Sequence, residues 1–519
     1  MKAKYLYLAL AGLMSLGMVS CEDELDIKQH GVVDLDTFYQ TDEEAENASA
    51  AIYLQINGSK YNLHMCINAL GDDFWSGGSA RNDNADLEQF NEFTFNTKAS
   101  YIESLFTTYY SIIYKCNVIF GHVPEETTIQ KRTHAEAHVI RAWAYFYLIN
   151  LWGNPPLVDH ELTADEYSQP NGSTEDLWNL VITDLTTAIE SGYLPEKSNV
   201  NDQTTWRVTK QFAQAMLGKA YLWTGKYKEA ASQFDAIVSS GKYALYSGNY
   251  GDILGYNAKF NCESMFESSR IYDSNNIWGN YDFVGVMCHW RIDKMNVPSS
   301  LGLEMNQGWG FLVPQKNLYD DFVKVEGENG YRLNETMKTY AQIEAMGCTV
   351  KQAIINEGYF MWKWRFTDEQ CPEGTYAMVD DNNPRWMRYA EVLLCGAEAH
   401  FKAGNTGKAD EYMNLIRSRA KAPTKSGYTE EEIRTEKRLE LCGEYTRYLD
   451  MLRWGIAEER LKNQGEHLPF LNPNGEITYE VYNKNANLFG FKKGKHELFP
   501  YPGTEVTLNR NIKQNPGWE

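Results

Sequence analysis

The sequence predicts an all-α dominated fold of stacked helix pairs that carry long irregular loops. Apolar residues recur at helical spacing over most of the chain, and two stretches repeat one pattern of small and aromatic positions. Between those stretches lies a segment rich in Gly, Asn and aromatics with little periodicity. With 519 residues, 43% hydrophobic and 23% charged, the chain is long and apolar enough to close a sizeable core. The 70 acidic against 49 basic side chains leave a net charge of −21 with no Lys/Arg-rich block to offset it, which makes nucleic acid a poor partner.

At the N-terminus, Lys2 and Lys4 precede an apolar run over 5–19 and the small Ser20, the pattern of a signal peptide over 1–20. That run is too short to span a bilayer, and no later stretch matches it, so the mature chain is not expected to cross a membrane. Helices are expected over 43–57 and 101–123. The span 135–152 is apolar nearly all round, so it should be buried between layers until Gly153-Asn154-Pro155-Pro156 stops it. Thr174 then caps a helix over 175–190. A helix pair over 209–224 and 227–240 places Leu217, Gly218, Tyr221, Ala230 and Phe234 at the spacings of the 34-residue tetratricopeptide (TPR) pattern. A second copy follows over 388–420, where Gly404, Ala409 and Met413 keep the spacing of Gly225, Ala230 and Phe234. Two further helices are expected over 429–455, near Gly443. The segments 246–328 and 463–518 read as irregular, and long irregular stretches in a folded chain tend to be functional.

Few residues offer catalytic or metal chemistry. Apart from Cys21, the eight cysteines at 66, 116, 262, 288, 348, 371, 395 and 442 form no CxxC pair. Cys395 and Cys442 read as buried thiols, whereas Cys262/Cys288 and Cys348/Cys371 stay open as bridges. His134 and His138 stand four apart on a helix, but no third ligand is evident and they read as surface histidines. The alternation of Asn82, Asn84, Asp86 and Glu88 lacks the glycine of an EF-hand and reads as a hydrophilic loop. Glu444, Arg447, Asp450 and Arg453 read as a salt-bridge ladder tying helices together. No P-loop, dinucleotide G-x-G-x-x-G or G-x-S-x-G motif is present, and no cofactor, metal or catalytic residue is assigned.

Several blocks in order carry a family resemblance. They are Thr37-Phe38-Tyr39 with the acidic-alanine helix after it; Ala135-Glu136-Ala137, Arg141-Ala142-Trp143 and Leu151-Trp152-Gly153; Arg388-Tyr389-Ala390-Glu391; Arg447-Tyr448 with Arg453-Trp454-Gly455; and Phe499-Pro500-Tyr501-Pro502 with Asn515-Pro516-Gly517-Trp518. As an ordered set they resemble the SusD/RagB family of surface glycan-binding lipoproteins. Cys395-Gly396 stands where bulkier residues are more usual. Met18-Val19-Ser20-Cys21 resembles a lipobox with Met18 in place of the usual Leu. The resemblance implies lipid attachment at Cys21, and Glu22-Asp23-Glu24 resembles the acidic tract that directs some such proteins to the cell face. Ordinary secretion is the alternative.

The resemblance further implies one SusD-like domain over 21–519. Its TPR-like helix pairs fall at about 41–240 and 385–455, with an inserted ligand-binding region at about 246–384 and a loop-rich part over 456–519. A SusC-type TonB-dependent transporter is the implied partner, and the outer membrane, facing the exterior, the implied location. Sugar recognition needs flat aromatic faces together with amides, carboxylates and Arg. Two segments offer this mixture where the family places ligand contacts. The first, 72–84, supplies Trp75, Arg81, Asn82 and Asp83. The second, 272–311, supplies Trp278, Tyr281 and Trp309, with Trp290 behind them. For each ring the alternative is inward packing. The expected function is non-catalytic capture of oligo- or polysaccharide, set against a helical glycoside hydrolase or lyase and a peptide-binding import lipoprotein.

Overall fold

The structure, a computed structural model, describes residues 38–519 apart from 205, 277–280, 304–307, 372–377, 482–483 and 486. The predicted signal peptide, Cys21 and Trp278 lie outside the described residues. Helix α1 (Asp42–Ala69) opens with a capping box in which Thr41 and Glu44 satisfy each other's backbone donors. After it come β1 (Phe74–Gly77), α2 (Ala85–Glu92), α3 (Ser100–His122), α4 (Thr128–Trp152) and α5 (Thr174–Ser191). Helices α6 (Lys210–Trp223) and α7 (Tyr227–Ser239) close the N-terminal set. Among the described residues no helix is long and apolar enough to cross a membrane.

The inserted region holds short elements, among them β2 (Ser264–Glu267), α8 (Phe283–Cys288), β3 (Phe311–Pro314), α9 (Lys316–Glu326), β4 (Ile354–Ile355) and β5 (Arg385–Arg388). Helices then resume as α10 (Tyr389–Lys402), α11 (Thr406–Arg419), α12 (Glu430–Glu440) and α13 (Arg447–Arg453), followed by the hairpin β6 (His467–Leu471) and β7 (Ile477–Val481). Helix α9 and this hairpin fall in stretches read as irregular. Helix α9 buries only Leu318 and Phe322, too few positions to set a period. Helix α1 runs twelve residues past its expected end at 57, because its second half buries the polar Ser59, Lys60, His64 and Asn68 and so breaks the apolar pattern.

The helices stack in sequence. α1 packs on α3 and α4, α4 on α5, α5 on α6, and α6 on α7. The stack then continues from α7 directly to α10, so the inserted region leaves it and returns without interrupting it. Small residues make the close approaches possible. A Cβ on Gly218 would lie 2.8 Å from the Phe234 ring, and one on Gly396 would lie 2.8 Å from the Tyr412 ring and 3.3 Å from Phe234 Cβ. Gly396 is therefore the second pair's counterpart of Gly218. From Thr133 to Trp152 every residue of α4 except His138 and Asn150 is buried, as its apolar circumference predicts. The C-terminal segment ties down its end. Trp152 Nε1 donates to Pro500 O at 2.9 Å, and Asn515 Nδ2 donates to Trp152 O at 3.0 Å.

His134 and His138 are corrected from surface to packed residues. His134 Nε2 lies 2.8 Å from Val123 O, and His138 Nδ1 lies 2.6 Å from Asp184, which also takes two bonds from Arg141. Cys395 and Cys442 are buried, and all eight cysteines after Cys21 carry free thiols.

An ionic network joins the inserted region to the helices. Arg388 pairs with Glu263 at 2.6 Å, Glu440 at 3.1 Å and Glu444 at 2.7 Å. Arg332 pairs with Glu326, Glu436 and Glu440, Arg419 with Glu263 and Glu440, Arg417 with Glu436, and Lys363 with Glu444. Charges of both signs are thus matched inside, where removing one partner leaves an uncompensated ion. Burial alone would raise the Glu440 carboxyl, but Arg419, Arg388 and Arg332 outweigh it and hold the group well below its ordinary value of 4.5. Its stabilising effect is complete above that ordinary value and is lost as pH falls toward the depressed one.

Replacing Glu440 with Gln is expected to cost about 3–5 kcal/mol of stability at neutral pH and to flatten the acid limb of the stability profile. Urea unfolding of both chains from neutral pH to about pH 3 measures this; equal stability at neutral pH contradicts it.

Candidate functional site

Strand pairing brings the two predicted ligand segments together. β1 and β3 run antiparallel, with Trp75 opposite Val313 and Gly77 opposite Phe311. Gly77 sits at φ +78°, and a Cβ there would lie 2.2 Å from Gly310 O, so only glycine admits this approach.

Both faces of β1 are covered, and Trp75 packs inward. The side chain is 7% exposed, packs with Val313, Ile355 and Leu468, and its Nε1 donates to Glu357 at 2.9 Å. Trp290 is 5% exposed, donates from Nε1 to Met361 O at 3.0 Å and meets Phe360 edge-on. Neither ring offers an open stacking face, and both take the packed alternative. Arg81 is held by a fork to Glu92, whose Nη2 arm is 2.9 Å long, and by Glu88 at 3.1 Å. Asn82 occupies φ +65°, and its backbone N–H donates to Glu88 at 2.7 Å.

Asp83 links the two segments. Its carboxylate accepts from Ser79 N at 2.8 Å, from Ser79 Oγ at 2.9 Å and from Arg291 Nη1 at 3.0 Å. The same Arg291 nitrogen donates to Trp309 O at 2.9 Å. Beyond this bridge lies a strip of half-buried rings. Tyr281 meets Phe283 edge-on at 4.7 Å, and Phe283 lies 6.1 Å from Trp309 and 5.9 Å from Tyr61. Tyr281 and Trp309, both expected as ligand contacts, converge through Phe283. Tyr61 lies within helix α1 and Arg291 follows the packed Trp290, so neither carries a sequence signal of a site.

Helix α8 positions the strip. Its N-cap is Asp282, whose Oδ1 accepts from Val284 N at 2.9 Å while Oδ2 accepts from Lys60 of α1 and from Arg270 at 3.2 Å. Trp309 N donates to Val286 O at 2.9 Å, which fixes the second segment to the same helix. Burial alone would raise the Asp282 carboxyl, but the Lys60 and Arg270 charges outweigh it and hold it low. Beneath α8 lies a cavity of about 100 Å³ lined by Lys60, His64, Asp380, Arg385 and Glu444. Burial, reinforced by the Lys60 charge, pushes the His64 imidazole down to about 3 and keeps it neutral, and burial raises the Asp380 carboxyl.

A strip of half-buried rings flanked by a carboxylate–guanidinium bridge sits on a stack of helix pairs, a helical-repeat scaffold. Comparison with known proteins gives the family. Residues 349–518 match the model described as the SusD family, and residues 36–222 match the one described as starch-binding associating with outer membrane. The chain belongs to the SusD/RagB family.

A SusD-like protein of Bacteroides ovatus is 25% identical over 88% of this chain and 83% of its own length. SusD-like protein P2 of Formosa agariphila is 23% identical over 98% of both. Among solved structures, a laminarin binding SusD-like protein superposes with a TM-score of 0.78 at 26% identity, over 92% of this chain and all of the other. Surface glycan-binding protein A from Bacteroides thetaiotaomicron, in complex with laminarihexaose, has a TM-score of 0.71 at 22% identity over 92% and 100%, a likeness of fold.

Replacing Asp282 with Ala removes the α8 cap and leaves Lys60 and Arg270 without their shared carboxylate. The expected loss is about 3–5 kcal/mol, read as a lower urea midpoint; an unchanged midpoint removes Asp282 as the anchor of the strip.

Proposed function

We propose that this protein captures oligo- or polysaccharide at the cell surface without chemical turnover and delivers it to a SusC-type TonB-dependent transporter. The observation that carries the reading is the continuous strip of Tyr61, Phe283, Tyr281 and Trp309 beside the Asp83–Arg291 bridge. Half-buried rings with a free edge suit the C–H faces of pyranoses, and the bridge supplies an acceptor and a donor for hydroxyls. Membership of a family with a laminarin-binding relative at 26% identity supports a sugar as ligand. Trp278 belongs to the proposal by its place in the sequence. Asn82 and Asp83, on the exposed loop beside the strip, are proposed as polar contacts, and Arg81 as the residue that holds that loop in shape.

Lipid attachment at Cys21 would tether the protein to the outer membrane, facing outward. Gentle detergent extraction should then recover it with a β-barrel partner, and replacing Cys21 with Ala should release it from membranes that lack that partner. Incubation with a glycan panel should produce no new reducing ends; turnover would favour a hydrolase or lyase. Preference for peptides over oligosaccharides in calorimetry would favour peptide import.

Replacing Trp309 or Tyr281 with Ala should lower glycan affinity, each by an amount equivalent to about 1–3 kcal/mol, or roughly 5- to 150-fold, with the unfolding midpoint little changed. Replacing Trp75 or Trp290 should instead cost about 3–5 kcal/mol of stability, because those rings are core. Calorimetry and thermal unfolding of the four variants separate the groups. Full affinity in both Trp309→Ala and Tyr281→Ala rejects the strip as the binding surface.

A further inference from the structure

A second cleft, of about 480 Å³, lies on the other side of the segment 362–370. Phe366 of that segment is 1% exposed and packs toward Val286 and Trp309, beneath the aromatic strip. Its neighbour Arg365 belongs to the cleft wall instead, together with Trp362, Glu369 and the turns around Asp252, Tyr256 and Asn257. The volume falls in the range of small-molecule sites, roughly 300–1,000 Å³.

Two donor–acceptor pairs stand in the wall, beside the exposed Asp368. Arg365 Nη2 donates to Asp252 Oδ1 at 2.5 Å, and Asn257 Nδ2 donates to Glu369 Oε2 at 2.7 Å. The Arg365 guanidinium also lies over the Trp362 ring, 4.6 Å from its centroid, which adds a flat surface next to the half-buried Tyr256. A hydroxyl both donates and accepts, so paired carboxylates and N–H groups match a row of vicinal hydroxyls. An anion would meet Asp252, Asp368 and Glu369.

We infer that this cleft, walled by Asp252, Tyr256, Asn257, Trp362, Arg365 and Glu369, is a second carbohydrate subsite separate from the aromatic strip. The ligand class rests on the glycan-binding reading of the family, whereas the position rests on the cleft itself. Two subsites on opposite sides of one segment would let a long chain stay bound at one while it moves at the other.

Photolabelling tests this on the full chain in detergent. The probes are hexasaccharides of α-glucan, β-glucan, mannan and xylan bearing a diazirine at the reducing end, with labelled peptides mapped by mass spectrometry. Label within 246–257 or 362–370 that is displaced by the untagged hexasaccharide supports the subsite. Loss of that label in the Asn257→Ala/Glu369→Ala chain, with label at 281–313 retained, supports it further. Label at the cleft alone supports the subsite and overturns the strip, whereas label at 281–313 alone overturns the subsite. Cleft label that survives the double substitution, or that yields to hexalysine but not to sugar, also overturns it. No label anywhere overturns both readings.

Discussion

Matched buried charge is the constraint on which the rest of this structure depends. Arg388 stands where the inserted region rejoins the helix stack, and it holds Glu263 just before β2, Glu440 at the end of α12 and Glu444 beyond it. Through Arg332 and Lys363 the same network reaches the far parts of the insertion. Hydrophobic packing orders the helices, because their apolar faces are broad and repeat. The insertion has short strands, few apolar runs and many turns, so packing alone gives it weak register. Ion pairs taken out of water are directional and costly to break, and they locate the insertion on the scaffold.

The candidate site inherits this rigidity through a second set of buried charges. Asp72 accepts from Arg447 at 2.7 Å and from Arg460 at 2.6 Å, and Asp73 accepts from Arg438 at 2.7 Å, which anchors the start of β1. Asp282, gripped by Lys60 and Arg270, anchors α8 and with it Tyr281 and Phe283. The two ligand segments are therefore fixed from below by carboxylates and joined above by the Asp83–Arg291 bridge. For the proposed glycan ligand, preformed rings need less ordering of the protein, which leaves more of the contact energy as affinity.

Much of this was legible in the residues. The TPR spacing around Gly218, Ala230 and Phe234 marks the α6–α7 pair, and its copy marks α10–α11. The apolar circumference of 135–152 marks the central helix. Gly396 read as a departure, yet it does for Tyr412 what Gly218 does for Phe234, and only the three-dimensional pairing of helices reveals that. The two aromatic segments stand out by composition and by the family resemblance, but neither says which ring faces out. Trp75 and Val313 are partners across strands more than two hundred residues apart, and together with Ile355 and Leu468 that packing buries Trp75. The polar half of α1 hid Lys60 and Tyr61 for a related reason, because their partners Asp282 and Phe283 come from the insertion. The block Glu444, Arg447, Asp450 and Arg453 read as a salt-bridge ladder tying helices together, and the structure agrees. It serves mainly as four anchors to other elements, and only Asp450–Arg453 pairs locally.

The central claim is that a scaffold already rigid before binding presents the aromatic strip to a glycan. Hydrogen exchange of the full chain, with and without a saturating oligosaccharide, tests it most directly. The account predicts slow exchange at 263–267, 385–388 and 436–444 in both states, with new protection on binding at 281–288 and 308–313. Ligand-induced protection confined to the repeat helices at 210–239 and 389–419, with 281–313 unchanged, would contradict it.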